Sequence, residues 1–182
     1  MQQFLFVDPS TTHKSVLYGP FCSLLGELFP RTEGFMVHSQ YNLIGGAIDF
    51  AIMSFHIGQC DLPIFFMEIK KFSSLNLDSA RGEADNQMHE RFGKILETFG
   101  DHLCKLTSIS AMGTRFAIYK CITQDGDIVI TPAPVRYNPS ICNNTVPWER
   151  WRYDVMQHDG EEKLKQLARE IKIMVLEIYD RR

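Results

Sequence analysis

Read as apolar against polar positions, the chain divides into a helix, three strands, a helix, two strands and a closing helix. Ser10-Thr-Thr-His-Lys14 reads as a helix start, with Val16, Leu17, Phe21, Leu24, Leu25, Leu28 and Phe29 behind it. Gly19-Pro20 is expected to bend or split that helix, and Pro30 to end it. Gly34 to Tyr41 and Gly46 to Phe55 read as strands about the turn Asn42-Leu-Ile-Gly45, and Ile57 to Leu62 as a second turn. Pro63-Ile-Phe-Phe-Met-Glu-Ile-Lys-Lys71 is too densely apolar to keep a solvated face, which predicts a buried strand. Residues 34–70 therefore read as an antiparallel meander.

Ser79 to Phe99 carries Ala80, Ala84, Met88, Phe92, Ile95, Leu96 and Phe99 at helical spacing, and Gly100 stops the run. Arg115 to Ile122, a turn through Gln124-Asp-Gly126, and Asp127 to Thr131 read as a hairpin. Four prolines make residues 132–150 an irregular surface stretch. Leu164, Leu167, Ala168, Ile171, Met174, Val175 and Ile178 form one face of a last helix, Glu161 to about Tyr179. The expectation is one α/β domain over residues 1–182, with residues 1–11 as a possible N-terminal arm and a central sheet flanked by helices.

Composition narrows this only in part. The 182 residues, 45% of them hydrophobic, suffice for one sizeable core. A net charge of −3 does not mark a nucleic-acid binder, so such binding needs a local basic patch. Cys22, Cys60, Cys104, Cys121 and Cys142 are odd in number, widely spaced and without a CxxC pair. They read as free thiols in a reducing compartment, not as a disulfide frame or zinc site. No stretch has the length of a membrane span, and the first residues lack the basic and apolar regions of a signal peptide. The expected location is intracellular, cytoplasm or nucleus, or secretion as an effector if a targeting segment has been removed.

Two strands hold charges where apolar residues are expected. Asp49 interrupts Ala47-Ile-Asp-Phe-Ala-Ile52, and Glu68 and Lys70 interrupt the buried strand. Glu68 and Lys70 project on one face, about 7 Å apart along the strand. Buried charges are costly unless paired, metal-bound or open to a cleft. An acid on one strand facing Glu-x-Lys on its antiparallel neighbour gathers two carboxylates and an ammonium. Two carboxylates suit a hard divalent cation, and a lysine beside it can orient a water and stabilise charge on a phosphate. The plain alternative is a structural ion pair, Asp49 with Lys70.

Asp49 followed by Glu68-Ile-Lys70, set between a first and a second helix, resembles the PD-(D/E)xK nuclease superfamily. The stretch Asp78-Ser-Ala-Arg-Gly-Glu-Ala-Asp-Asn-Gln-Met-His-Glu-Arg-Phe92 is similar to the helix after the ExK strand in nuclease-like domains predicted in fungi, including some attached to Crinkler-type effectors. Gly113-Thr-Arg-Phe and Trp151-Arg-Tyr-Asp with the last helix fit the same resemblance, which covers roughly residues 12–180. It implies a restriction-endonuclease-like fold with a central mixed sheet of about 4–5 strands. It also implies Mg²⁺ or Mn²⁺ on Asp49 and Glu68, Lys70 acting on the attacking water, and Gln87 supporting the site. Lys71, Arg81, Arg91 and Lys94 would contact DNA or RNA. Two departures stand out: Ile48 precedes Asp49 where the motif has proline, and the acid many members carry on the first helix has no clean match, Glu27 and Glu33 being the candidates. The function implied is metal-dependent hydrolysis of phosphodiester bonds. The alternatives are an inactive nuclease-like module that binds nucleic acid or a protein partner, and a structural interaction domain.

Overall fold

The structure is a computed structural model that describes residues 2–43, 46–54, 62–100, 103, 105–124, 127–135 and 145–180. The turn expected at 57–62 and the tips of both predicted hairpins lie largely outside the described residues. A 3-10 turn, Lys14–Leu17, leads into helix α1, Tyr18–Leu28. Three strands follow: β1, Phe35–Leu43; β2, Gly46–Ser54; and β3, Leu62–Lys70. Helix α2 is Asp78–Phe99. Then come β4, Lys105–Met112; β5, Arg115–Gln124; and β6, Asp127–Thr131. A 3-10 turn, Trp148–Trp151, precedes the short β7, Tyr153–Asp154, and helix α3, His158–Asp180, closes the described chain.

The seven strands among the described residues form one sheet, ordered β1-β2-β3-β4-β5-β6, with β7 paired to the far end of β5. The meander is antiparallel, β4 runs parallel to β3, and the remaining pairs are antiparallel. The α/β class and the mixed sheet flanked by helices expected for a restriction-endonuclease-like domain are present. The strand count is higher than expected, because β4 and β7 were not legible. Leu106 and Ile109 are the only large aliphatics inside β4, whose Ser108 and Ser110 are fully buried. Serines at core positions erase the apolar signal on which strand prediction rests. Ser110 is met by the fully buried Trp151, whose indole N–H donates to its Oγ at 3.3 Å, whereas the Ser108 hydroxyl is buried without a hydrogen-bond partner.

Pro20 neither bends nor splits α1. It falls in the first helical turn, where its missing N–H has no intrahelical partner to lose, so it helps to start the helix. Pro30 does follow the helix end at Phe29. Phe4, from a 3-10 turn at Gln2–Phe6, packs edge-on against Phe21 with centroids 4.9 Å apart, so this part of the expected arm joins the core.

Strand alternation sorts the helices. Phe50, Phe65 and Lys120 point to the side of α1 and α3, through Tyr18–Phe50 and Phe29–Phe65 ring contacts and a Lys120–Glu170 ion pair. Phe66, Glu68 and Tyr119 point to α2, meeting Phe92, Arg91 and Asp85 respectively. With both faces covered, every residue of β3 from Leu62 to Ile69 is buried, as its sequence demanded. α3 begins tight against β7: a Cβ at Gly160 would lie 1.9 Å from the carbonyl oxygen of Asp154.

Candidate active site

Within the meander, the register of β2 on β3 shifts between Ile52 and Met53, and from Ile52 opposite Phe65 it runs evenly to Phe50 opposite Met67. One step further along the same register sets Asp49 opposite Glu68, on one face of the sheet, where side chains of facing residues lie close together. The last bond there comes from a side chain: the Ile69 N–H donates to Asp49 Oδ2 at 2.7 Å. Both acids are buried, Asp49 at 6% and Glu68 at 3% exposure. An apolar strand holding an uncompensated carboxylate would be unstable, so each acid has a cation.

For Asp49 that cation is Lys14. Its Nζ donates to Oδ1 at 2.8 Å and to Oδ2 at 2.9 Å, and the Tyr18 hydroxyl donates to Oδ1 as well. Tyr18 is steadied by its edge contact with Phe50. Burial and the bond to Asp49 push the Tyr18 hydroxyl above its ordinary value. Burial pulls the Lys14 ammonium down, but the bond and charge of Asp49 outweigh it and hold the group above its usual range.

Arg91 takes the corresponding place at Glu68. Its Nε donates to Glu68 Oε1 at 2.9 Å and its Nη2 to the Ala47 carbonyl at 2.7 Å, tying α2 to both strands. Gly46 leaves room for this guanidinium: a Cβ there would stand 3.1 Å from Arg91 Nη1, and the residue has φ of 132°, in the range that favours glycine. Even with Arg91 beside it, burial first and the negative charge of Asp49 second raise the Glu68 carboxyl to about 7.

Lys70 lies on the same face as Glu68 but bonds Glu83 Oε1, at 2.9 Å. The ion pair weighed from sequence, Asp49 with Lys70, is not the one formed; Lys14 takes that role. Glu83, Gln87 and Arg91 follow one another at four-residue spacing, one stripe of α2 facing β3. Gln87, between the partners of Lys70 and Glu68, has its Oε1 buried with no hydrogen-bond donor.

Other expected site residues lie elsewhere. Glu33 is beside the start of β1, which pairs with Ser54 at the opposite end of β2 from Asp49, and it bonds Lys172 of α3 at 2.6 Å. Glu27 is near the end of α1, about 13 Å along the axis from Tyr18, in a hollow lined by Leu24, Leu28 and α3 residues Glu161, Leu164 and Lys165. Neither joins the Asp49–Glu68 pair. Arg81 is buried and spent on structure, donating to the carbonyls of Val146 and Leu75 and to Asp78. With Arg91 buried too, the basic patch expected from Lys71, Arg81, Arg91 and Lys94 is not a surface patch: only Lys71 and Lys94 are half-exposed. Lys14 and Tyr18 were missed because their tie to Asp49 spans more than thirty residues; the one available signal was that a buried acid needs a donor.

Among the described residues no three His, Cys, Asp or Glu side chains converge as a metal set. What does fit a hard cation is smaller: the facing carboxylates of Asp49 and Glu68 and the undonated Gln87 Oε1, all oxygen donors. Among the described residues, no helix is long and apolar enough to cross a membrane.

No protein-family model matches the chain, and no curated protein matches it. Among solved structures the chain is similar to a type IIG restriction endonuclease, BpuSI, at a TM-score of 0.48 and 14% identity. The similarity covers 94% of this chain and 18% of that enzyme, so the chain spans under a fifth of its length.

Proposed function

We propose that this chain is a divalent-cation-dependent nuclease domain of the PD-(D/E)xK type, acting on the phosphodiester bonds of DNA or RNA. The observation that carries the reading is the Asp49–Glu68 pair: two buried carboxylates facing each other from adjacent strands, one of them raised to about 7. A core with no use for negative charge gains nothing from this placement, since an apolar pair of similar volume is often as stable or more so.

Asp49 and Glu68 would hold Mg²⁺ or Mn²⁺, with Gln87 Oε1 as a third oxygen donor, and such an ion supplies an activated water and neutralises charge on the phosphate. Lys70 is then the group that positions the water or stabilises the developing phosphate charge. Its partner Glu83 is 73% exposed, so the contact is easily exchanged for one to water or substrate.

A second reading has an observation of its own. Asp49, Glu68 and Glu83 are each matched by a cation, Lys14, Arg91 and Lys70. That suits an inactive nuclease-like module that binds nucleic acid or a protein partner. Calorimetric titration with Mn²⁺ separates the two: the nuclease reading requires binding in the wild type that Asp49→Ala abolishes. Absence of any binding in a folded wild type selects the inactive module.

A further inference from the structure

The hydrogen bonds of Asp49 leave no room for a further ligand. A carboxylate offers about four acceptor positions, two per oxygen. Oδ1 takes Lys14 Nζ and the Tyr18 hydroxyl; Oδ2 takes Lys14 Nζ and the Ile69 N–H. A cation arriving at Asp49 must therefore displace a donor. The Ile69 amide is fixed in a fully buried stretch of β3. Tyr18 is the first residue of α1 and its ring rests against Phe50 at 5.6 Å. Lys14 is different on every count. Its side chain is 45% exposed, it sits at the end of a four-carbon stem, and residues 12–16 around it are all exposed. Moving its ammonium gives up a position 5.8 Å from the centroid of the Tyr18 ring and returns the charge to water.

Resting on the cation-dependent reading above, we propose that Lys14 is an exchangeable internal counter-ion of Asp49, which a divalent cation displaces on binding. Lys14 keeps the buried carboxylate compensated before the cation arrives and gives way when it does. Cation affinity is then set by a competition within the chain, and removing the competing charge tightens it. Lys14 thus competes with the cation for Asp49, a role distinct from that of Lys70.

The test is a Mn²⁺ titration by calorimetry on wild type, Lys14→Met and Lys14→Arg, with melting curves to confirm folding. Lys14→Met, which keeps the stem and loses the charge, should bind about tenfold more tightly, the loss of one opposing charge at close range. Lys14→Arg should bind no more tightly than wild type. Unchanged or weaker binding by Lys14→Met, while Asp49→Ala still abolishes binding, overturns the exchange and leaves the cation-dependent reading standing. Absence of binding in all three proteins overturns both. Should Lys14→Met not fold, nuclear magnetic resonance on wild type gives the same decision. The Lys14 side-chain ammonium should move from a hydrogen-bonded to a free position as Mg²⁺ is added. An unmoved signal at saturating Mg²⁺ contradicts the proposal.

Discussion

Arg91 reaches from the middle of α2 to Glu68 in the buried strand, Nε to Oε1 at 2.9 Å, and compensates a carboxylate that is 3% exposed. The contact joins the helix to the chemistry: the residue that closes the α2 face over the sheet also opposes the upward push that burial and Asp49 exert on the Glu68 carboxyl. Arg91→Met should cost about 3 kcal/mol of stability near pH 8, since it strands a buried charge. Near pH 5, where Glu68 keeps its proton, the cost should be smaller. Denaturant unfolding of both proteins at the two pH values checks this, and an equal loss at both would mean that Arg91 acts through packing alone.

Glu68 itself gives the chain a distinctive pH dependence. Its folded-state value of about 7 lies above the ordinary 4.5, so between those values the folded chain holds a proton that the unfolded chain has released. The stability this group contributes is complete below the lower value and is lost as pH rises through the upper one. Glu68→Gln has no such proton to lose. The stability of wild type relative to Glu68→Gln should therefore fall by up to about 3 kcal/mol between pH 4.5 and 8. A difference that stays flat with pH contradicts the raised carboxyl.

At Gly46, φ of 132° and the Arg91 guanidinium 3.1 Å from a would-be Cβ act together. Gly46→Ala should destabilise the fold by about 1–3 kcal/mol and loosen Arg91 from the Ala47 carbonyl. Its unfolding curve checks the first effect, and the pH dependence of its stability, compared with Arg91→Met, checks the second.

Much of the site was visible as misplaced charge. Asp49 and Glu68 stand out because the residues flanking them, Ile48 and Phe50, Met67 and Ile69, are apolar; what sets the two acids face to face is a shift of register between Ile52 and Met53, which no local pattern reports. Their counter-ions were not visible. Arg91 reads from sequence as a helix flank or a phosphate contact, because it adjoins the Met88–Phe92 stripe; only the buried partner shows that it faces inward. Lys14 sits in a polar segment with no periodicity, and its contact depends on how α1 docks on β2. In the fold, β4 was lost for a related reason. Its buried Ser110 answers to Trp151, more than forty residues away, and no local pattern reports that. The helices and the meander follow local periodicity, whereas these features follow tertiary packing.

Lys70→Ala separates catalysis from structure. Because Lys70 pairs with exposed Glu83 rather than with a buried acid, its removal should change the melting temperature little. Mn²⁺ binding should survive, since both carboxylates remain. Turnover should fall by about a hundredfold or more, the effect of losing one group that stabilises transition-state charge. A large fall in melting temperature with unchanged turnover would assign Lys70 to the fold instead.

The most direct test of the account is cleavage itself. Purified wild type, Asp49→Asn and Glu68→Gln are incubated with single- and double-stranded DNA and RNA, with Mn²⁺ or with chelator, and products are resolved by length. Wild type should cut at least one of these substrates with Mn²⁺ and none with chelator, and each variant should lose activity by about a hundredfold or more while remaining folded. Wild type that binds Mn²⁺ yet cuts none of them, or cutting that persists equally in both variants, would contradict the nuclease assignment.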